Sequence, residues 1–311
     1  MISLVIPVYN EEKLLDELNE RCVCVCEKIG LPYEVIYVDD GSYDGTLEML
    51  IGFHHKNKNV KVIELSRNFG HQKAFSAGLE ASSGDFTVML DGDLQDEPEL
   101  IEDMYNMIKD GEYDIIKGYR TARQEKGFRR LFITMFHFIF KWISGYHDMK
   151  NTGNFSMFNR KALKALLSMK EQIRYLPGLR SYIGFRQGIL EYERMERKAG
   201  RPKMSSKKLF RLASDAIFSF SRTPIVICFY IGIAGAVFFM FSGVYILLSG
   251  ALGWPVIGWS LHGVGLFFLG SIQLIFLGIL GEYIWRTYRE SQHRPLYIVR
   301  NIYFDEDGIT E

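Results

Sequence analysis

Asp91-Gly92-Asp93 follows directly on the apolar run Phe86–Leu90, and these two carboxylates are the plainest chemical signal in the chain. In extended backbone, side chains i and i+2 share a face, so Asp91 and Asp93 can converge on one cation while Gly92 leaves the backbone open to a close ligand. Two carboxylates completed by water and phosphate oxygens suit Mg2+ or Mn2+, which proteins commonly hold through a substrate's phosphates. An acid-rich turn is the alternative, and the position at the end of an apolar run favours the ligand site. Two other apolar runs end in polar segments, Pro7-Val8-Tyr9-Asn10-Glu11-Glu12 and Asp39-Asp40-Gly41-Ser42.

The elements that must position these residues are legible in the first 120 positions. Ile2–Val8, Glu34–Val38, Val60–Leu65, Phe86–Leu90 and Asp114–Lys117 read as strands, with helices expected at 12–29, 44–55, 70–81 and 97–110. Short Val- and Ile-rich strands separated by helices predict a parallel sheet covered on both faces. In such sheets ligands bind at the carboxyl ends of the strands, where the three polar segments fall. Asp96-Glu97-Pro98-Glu99 reads as a capping box with Pro in the first turn, and Gly111 as the stop of that helix. Neither a Gly-x-x-x-x-Gly-Lys-Ser/Thr loop nor a strand-borne Gly-x-Gly-x-x-Gly occurs, which argues against a P-loop NTPase and a typical dinucleotide enzyme.

The formal charge is zero, yet it is unevenly laid out. Residues 1–114 carry 9 Lys/Arg against 24 Asp/Glu, a balance of −15, whereas residues 115–222 carry 24 against 7, a balance of +17. From Thr223 to Gly281 there is no Asp, Glu, Lys or Arg. This stretch divides at the Gly- and Pro-containing segment Ser249–Gly258 into 224–248 and 259–281, each longer than the roughly 20 apolar residues that cross a bilayer. Two membrane helices are expected. A buried globular hairpin is the alternative, disfavoured because core helices rarely run so far without a charge. Basic residues precede the first span (Lys203, Lys207, Lys208, Arg211, Arg222) and follow the second (Arg286, Arg289, Arg294), while the turn has none, so both ends are expected in the cytoplasm. Met1 to Asn10 lacks a basic leader, so no signal peptide is expected. Cys22, Cys24 and Cys26 alternate with Val, unlike zinc or redox pairs, and are read as small buried residues of a helix in a reducing compartment.

Val5-Ile-Pro-Val-Tyr-Asn-Glu, Val38-Asp-Asp-Gly-Ser-x-Asp-Gly-Thr46, Leu65-Ser-Arg-Asn-Phe-Gly70 with Ala77-Gly-Leu79, and Asp91-Gly-Asp-Leu-Gln-Asp96 together resemble the GT-A glycosyltransferases. More narrowly the chain resembles the polyprenyl-phosphate glycosyltransferases, the group of bactoprenol glucosyltransferases and dolichol-phosphate mannose synthase, and the likeness extends to the two C-terminal spans. The resemblance implies an α/β GT-A (Rossmann-like) domain with a mostly parallel sheet, then interfacial helices and two transmembrane helices. It implies that Pro7, Tyr9 and Glu11 line a nucleoside pocket, that Asp39 contacts uracil or ribose, and that Asp91 and Asp93 hold the metal on a diphosphate. Arg67 and Lys73 flank the helix start near Gly70 and are candidates for donor phosphate, with a solvated face as the alternative. Asp44 is expected to cap the next helix.

The basic half suits anions. Phe128-Arg-Arg-Leu-Phe-Ile-Thr-Met-Phe-His-Phe-Ile-Phe-Lys-Trp142 has an apolar centre too short to span and reads as an interfacial helix. Lys203 to Phe218 is a second such element, whose basic cluster beside a membrane span favours anionic lipid over nucleic acid. Arg174-Tyr-Leu-Pro-Gly178 resembles the family's Arg-Tyr-x-x-Gly element, and Arg197 to Lys203 its Arg-x-x-Gly-x-Ser-Lys element with Pro202 in place of Ser. Arg174, Arg197 and Lys203 are therefore candidates for diphosphate or lipid phosphate. The family's loop commonly reads Asp-x-Gly-Asp-Phe where this chain has Asn151-Thr-Gly-Asn154-Phe155, and a carboxylate there is the family's proposed general base. Either Asp148 substitutes or no base is needed; the second is favoured, because a phosphate monoester with a second pKa of about 6 is already a dianionic nucleophile at neutral pH. Asn154 would then orient the acceptor or a sugar hydroxyl.

The expectation is an inverting, metal-dependent hexosyltransferase with catalytic residues Asp93, Asp148 and Asn154, moving glucose from UDP-glucose to undecaprenyl phosphate at the bacterial inner membrane. UDP-GlcNAc or GDP-mannose as donor, or an inactive binding protein, are the alternatives. Its expected parts are a cytoplasmic domain 1–200, a juxtamembrane helix 201–222, a membrane hairpin 223–285 and a cytoplasmic tail 286–311. Small residues such as Gly232, Gly235 and Gly243 would allow close packing of spans in a homo-oligomer.

Overall fold

A computed structural model describes residues 1–121, 152–172, 174–193, 223–253 and 259–304. The described residues fall into two compact units, one holding the sheet and the chain from Pro295 onward, the other the two long apolar helices. The first unit opens with five strands alternating with four helices: β1 (Ile2–Val8), α1 (Leu15–Ile29), β2 (Tyr33–Asp39), α2 (Thr46–Lys56), β3 (Val60–Leu65), α3 (His71–Ala81), β4 (Phe86–Met89), α4 (Leu100–Ile108) and β5 (Ile115–Arg120). These agree with the sequence pattern to within three residues at every boundary. β6 (Thr152–Asn159), α5 (Arg160–Ser168), α6 (Leu176–Tyr182) and β7 (Gln187–Tyr192) complete the segment.

Eight strands form one sheet in the order β7-β5-β6-β4-β1-β2-β3-β8, where β8 is Val299–Tyr303. β1, β2, β3 and β4 pair in parallel, as do β5 and β7, while β6 runs antiparallel between β4 and β5 and β8 runs antiparallel to β3. The GT-A-like, mostly parallel α/β sheet expected from the sequence is therefore present.

Both faces are covered, so β1 is buried along its whole length, as an unbroken apolar run requires. Ile2, Leu4 and Ile6 share a core with Leu15, Leu18, Cys22 and Cys26 of α1 and Ile101, Met104 and Ile108 of α4. The opposite face takes α3, which approaches so closely at Gly78 that a Cβ there would stand 2.3 Å from Val5 and 3.0 Å from Val38. Cys22 and Cys26 are buried and free as expected. Cys24 is exposed, correcting the reading of all three as buried, because a residue two positions along a helix turns about 200° away. At the amino end of the sheet, buried Glu34 on β2 accepts from Ser3 Oγ (2.5 Å), Lys61 Nζ (2.7 Å) and Ser83 N (2.7 Å), joining three strands and the exit of α3. Burial alone would raise the Glu34 carboxyl, but these donors and the Lys61 charge hold it below its usual value.

Residues 286–311, read from sequence as a tail, contain a strand. Val299–Tyr303 covers the β3 edge, where Arg300 Nη1 (3.0 Å) and Asn301 Nδ2 (2.7 Å) donate to the Glu64 carboxylate.

The second unit consists of α7 (Thr223–Leu252) and α8 (Trp259–Ser291). Ile225–Tyr245 and Phe268–Ser291 are long and apolar enough to cross a membrane, with mean hydropathies of 2.4 and 1.5. Phe229, Phe238, Leu266 and Leu274 expose 64 to 71% of their surface, the opposite of a buried core hairpin.

Candidate active site

Four chain segments meet where β1, β2 and β4 end. β1 leads into Tyr9 and Asn10, and Asn10 takes a left-handed conformation (φ 53°) that points the chain toward the β2 exit. There Asn10 N donates to Ser42 Oγ (3.0 Å), Tyr43 N donates to Asn10 Oδ1 (3.0 Å) and Glu11 N donates to Thr46 Oγ1 (3.0 Å). Tyr9 and Tyr43 meet edge to face with centroids 6.1 Å apart. Pro7 is buried within β1 opposite Val38. The expected nucleoside-pocket residues Pro7, Tyr9 and Glu11 thus stand beside Asp39, and exposed Tyr43 joins them without having been singled out from sequence.

The two β2 aspartates have different surroundings. Asp39 is buried and its oxygens accept from Ser42 N (3.3 and 3.2 Å). Asp40 accepts from Phe69 N (2.7 Å) and Gly70 N (3.0 Å), fixing the loop that launches α3. Burial raises both carboxyls above their usual values. Gly41 has φ 72°, and a Cβ on it would lie 2.6 Å from the Arg67 carbonyl carbon, so this position needs glycine both for conformation and for space. Asp44 Oδ1 accepts from Thr46 N (3.1 Å), a structural role, but the N-cap of α2 is Gly45, so Asp44 stands one position before the cap it was expected to be. Arg67 lies over the Phe69 ring at 4.3 Å, and Lys73 is half-buried on the first turn of α3.

At the end of β4, Asp91 Oδ1 contacts His71 Nε2 (2.9 Å) and accepts from Asn154 Nδ2 (3.3 Å). Antiparallel pairing of Met89 with Ser156 brings residue 154 opposite residue 91 two positions further on. The direction of this amide chain is anchored by a backbone donor. Leu176 N donates to Gln72 Oε1 (2.9 Å), Gln72 Nε2 donates to Asn154 Oδ1 (3.0 Å), and Asn154 therefore turns its NH2 toward Asp91. Burial would raise the Asp91 carboxyl, but His71, Asn154 and Arg120 outweigh it and hold it well below the carboxylate range. Burial would likewise lower His71, and the Asp91, Asp93 and Asp40 carboxylates more than offset that, raising it.

Asp93 is 9% exposed and accepts from Gln95 N (3.2 Å). Between the two carboxylates, Gly92 lies against β1: a Cβ there would stand 3.1 Å from the Pro7 carbonyl oxygen and 3.0 Å from Val8. The glycine is thus needed for packing on β1 and not as an opening for a ligand. Residues 92 and 93 lie in a turn beyond β4, which corrects the extended-backbone reading. The two hard carboxylates are of the type that suits a divalent cation sharing its remaining positions with phosphate and water. No cluster of three or more acidic, His or Cys ligands occurs among the described residues, so a cation held here would depend on its substrate for the rest of its shell.

Asp96 corrects the capping-box reading. It is fully buried, bonds Tyr192 Oη, and pairs with Arg120 Nη2 at 3.2 Å, while α4 starts only at Leu100 without a side-chain cap. A buried carboxylate needs a charged partner, and Arg120 at the end of β5 supplies it. Arg120 packs so tightly on Gly153 that a Cβ there would stand 2.4 Å from its Nη2. Sequence reading missed Arg120, which is 24 positions from Asp96 and reaches it only through the fold. Arg174 is 7% exposed and donates to the Met169 carbonyl (2.6 Å). Asp148, Asn151, Arg197, Lys203 and both expected interfacial helices lie outside the described residues.

A carboxylate pair, adjoining aromatic and acidic side chains and a flanking amide gather at the carboxyl end of a parallel sheet, the place where such sheets bind ligands. The chain belongs to glycosyl transferase family 2, whose description matches residues 3–167. It is 39% identical over 311 residues to an uncharacterized glycosyltransferase of Bacillus subtilis, YkcC, covering 97% of this chain and 94% of the relative. It is 33% identical over 302 residues to the bactoprenol glucosyl transferase of Shigella phage SfV, covering 96% and 98%. Among solved structures, glucosyl-3-phosphoglycerate synthase from Mycobacterium tuberculosis shares the fold at a TM-score of 0.51 and 17% identity, covering 71% of this chain and 78% of that one.

Proposed function

We propose that this glycosyltransferase moves glucose from UDP-glucose to undecaprenyl phosphate at the cytoplasmic face of a bacterial inner membrane, with inversion at the anomeric carbon. The observation that carries the reading is the row of groups along the sheet's carboxyl edge, Asp39 and Tyr9, then Asp91 and Asp93, then Asn154. In this reading nucleoside, diphosphate and sugar lie along that row in that order. Relatives bearing the bactoprenol glucosyl transferase name, alike over nearly the full chain, support the acceptor and the sugar.

In this mechanism Tyr9, Glu11 and Asp39 hold the nucleoside. Asp91 and Asp93 are the residues that would hold Mg2+ or Mn2+, and that cation when bound offsets charge on the departing diphosphate. A phosphate oxygen of the acceptor attacks the anomeric carbon in line; the new carbon–oxygen bond forms as the bond to UDP breaks and its electron pair leaves with UDP. The attacking oxygen carries no proton at neutral pH, so no protein base is required, and catalysis rests on positioning and charge stabilisation. Asn154, turned donor-first toward Asp91, fixes that carboxylate and faces the sugar side.

Two apolar helices lie between β7 and β8 of one sheet. An even number of crossings returns the chain to the catalytic side, which supports a hairpin anchor with both ends in the cytoplasm. The deciding experiment incubates full-length protein with undecaprenyl phosphate, Mn2+ and a panel of radiolabelled sugar nucleotides, then extracts lipid. Label from UDP-glucose in the lipid phase is expected; label from UDP-GlcNAc or GDP-mannose instead, or none, would overturn the reading.

A further inference from the structure

Asp39 on β2 stands opposite Glu64 on β3, and Glu64 stands opposite Asn301 on β8. Both carboxylates are buried, so two acids on paired strands lie side by side out of water, where like charges repel. Burial is the main cause that raises the Asp39 carboxyl, and the Glu64 charge adds to it. The groups that answer Glu64 come from the strand that follows the two apolar helices. Arg300 Nη1 donates to one Glu64 oxygen (3.0 Å) and Asn301 Nδ2 to the other (2.7 Å). Asn301 is neutral, and among the described residues Glu64 makes its one ion pair with Arg300. The same guanidinium reaches further along β3: its Nη2 donates to the Ser66 carbonyl (2.9 Å), while Ser66 N donates to the Ile298 carbonyl (2.9 Å). Ser66 opens the segment whose Phe69 and Gly70 amides bind Asp40 and whose Arg67 backbone packs on Gly41. Two routes therefore lead from Arg300 to the turn from Asp39 to Ser42, one through a carboxylate and one through the main chain.

We propose that Arg300 is a positioning residue for the donor's nucleoside: from β8 it screens Glu64 from Asp39 and holds the β3 exit against the Asp40 turn. This assignment rests on the transferase reading above, in which Tyr9 and Asp39 hold the nucleoside. Without the guanidinium, the unscreened Glu64 charge repels the Asp39 carboxylate, whose bonds from Ser42 N are already long at 3.3 and 3.2 Å, and the turn loses its backing from Ser66. The Arg300 side chain is 59% exposed, and an exposed ion pair adds little to global stability, so its removal acts on the site more than on the fold.

The test uses full-length protein in nanodiscs with Arg300→Met, Arg300→Lys and the double variant Arg300→Met with Glu64→Gln. Affinities for uridine and for UDP with Mn2+, Michaelis constants for UDP-glucose and undecaprenyl phosphate, and thermal midpoints are compared with wild type. Arg300→Met should weaken uridine and UDP alike by about tenfold and raise the UDP-glucose constant to match. Its kcat, acceptor constant and midpoint should stay near wild type. Arg300→Lys should fall between, since one ammonium cannot bridge Glu64 and Ser66 as the planar fork does. Adding Glu64→Gln to Arg300→Met should return about threefold of the lost uridine affinity, because the charge to be screened is gone while the Ser66 route stays broken. Equal losses in the single and double variants would overturn the proposal, as would a loss confined to UDP, which would place Arg300 on the diphosphate. A lowered midpoint with uridine affinity unchanged would make Arg300 structural only. If wild type glycosylates no polyprenyl phosphate yet Arg300→Met still weakens uridine, the transferase reading fails and the nucleoside placement stands. If wild type is active and Arg300→Met leaves uridine affinity unchanged, this inference alone fails.

Discussion

Asn154 carries more information than its residue type suggests, because its amide cannot turn around. The Leu176 N–H can only donate, so Gln72 and Asn154 are each oriented in sequence and Asp91 receives an N–H. A carboxylate at 154 would set two acceptors against each other, whereas an amide fixes Asp91 without competing for a proton. The same logic separates the roles of nearby acids. Asp93→Ala removes one of the two carboxylates flanking Gly92, and turnover with UDP-sugar and Mn2+ should fall below detection while circular dichroism and the thermal midpoint stay near wild type. Retained turnover would reassign the cation-holding role. Asp148→Asn, by contrast, should turn over within a few-fold of wild type, since a dianionic acceptor needs no deprotonation; a loss of about 10²-fold or more in kcat would identify Asp148 as a general base.

Elements were legible to the extent that their burial is periodic. β1 to β4 and α1 to α3 follow from apolar runs covered on both faces, and their carboxyl-end residues followed with them. β6, β7 and β8 did not: β6 carries polar Asn154 and Ser156 between Phe155 and Met157, and β8 is an exposed edge strand whose anchoring to Glu64 by Arg300 and Asn301 depends on residues more than 230 positions away. Asp96 was misread because a capping box and a buried ion pair share the same letters, and only the fold brings Arg120 to it. Glu34 shows the same dependence on assembly. Its carboxylate is held ionised by donors from β1, β3 and the exit of α3, so its contribution is present above the unfolded value of 4.5 and lost as pH falls through the lower folded value. Glu34→Gln should therefore lower stability by about 2 kcal/mol near pH 7. The gap to wild type should close on acidification below 4.5, as read from thermal midpoints across pH; a constant gap would mean that packing and not charge carries the effect.

For the whole molecule, the net charge of zero conceals an acidic sheet half, with carboxylates gathered at strand ends, and a basic half that includes buried Lys117 and Arg180. The acidic carboxylates suit a cation and a sugar nucleotide, and the basic residues suit phosphates arriving from lipid. Such an arrangement works only if the sheet and the acceptor's phosphate are on the same side of the bilayer. In connectivity, the chain leaves the sheet after β7, passes through α7 and α8, and re-enters the same sheet as β8. Cys24 is an exposed native reporter on α1, while Ala251 is an exposed position near the connection between the two apolar helices. In intact spheroplasts a membrane-impermeant maleimide should label Ala251→Cys but leave Cys24 unmodified, and permeabilisation should make Cys24 reactive. Labelling of Cys24 before permeabilisation would put the sheet outside, away from cytoplasmic sugar nucleotides, and would overturn the cytoplasmic reading.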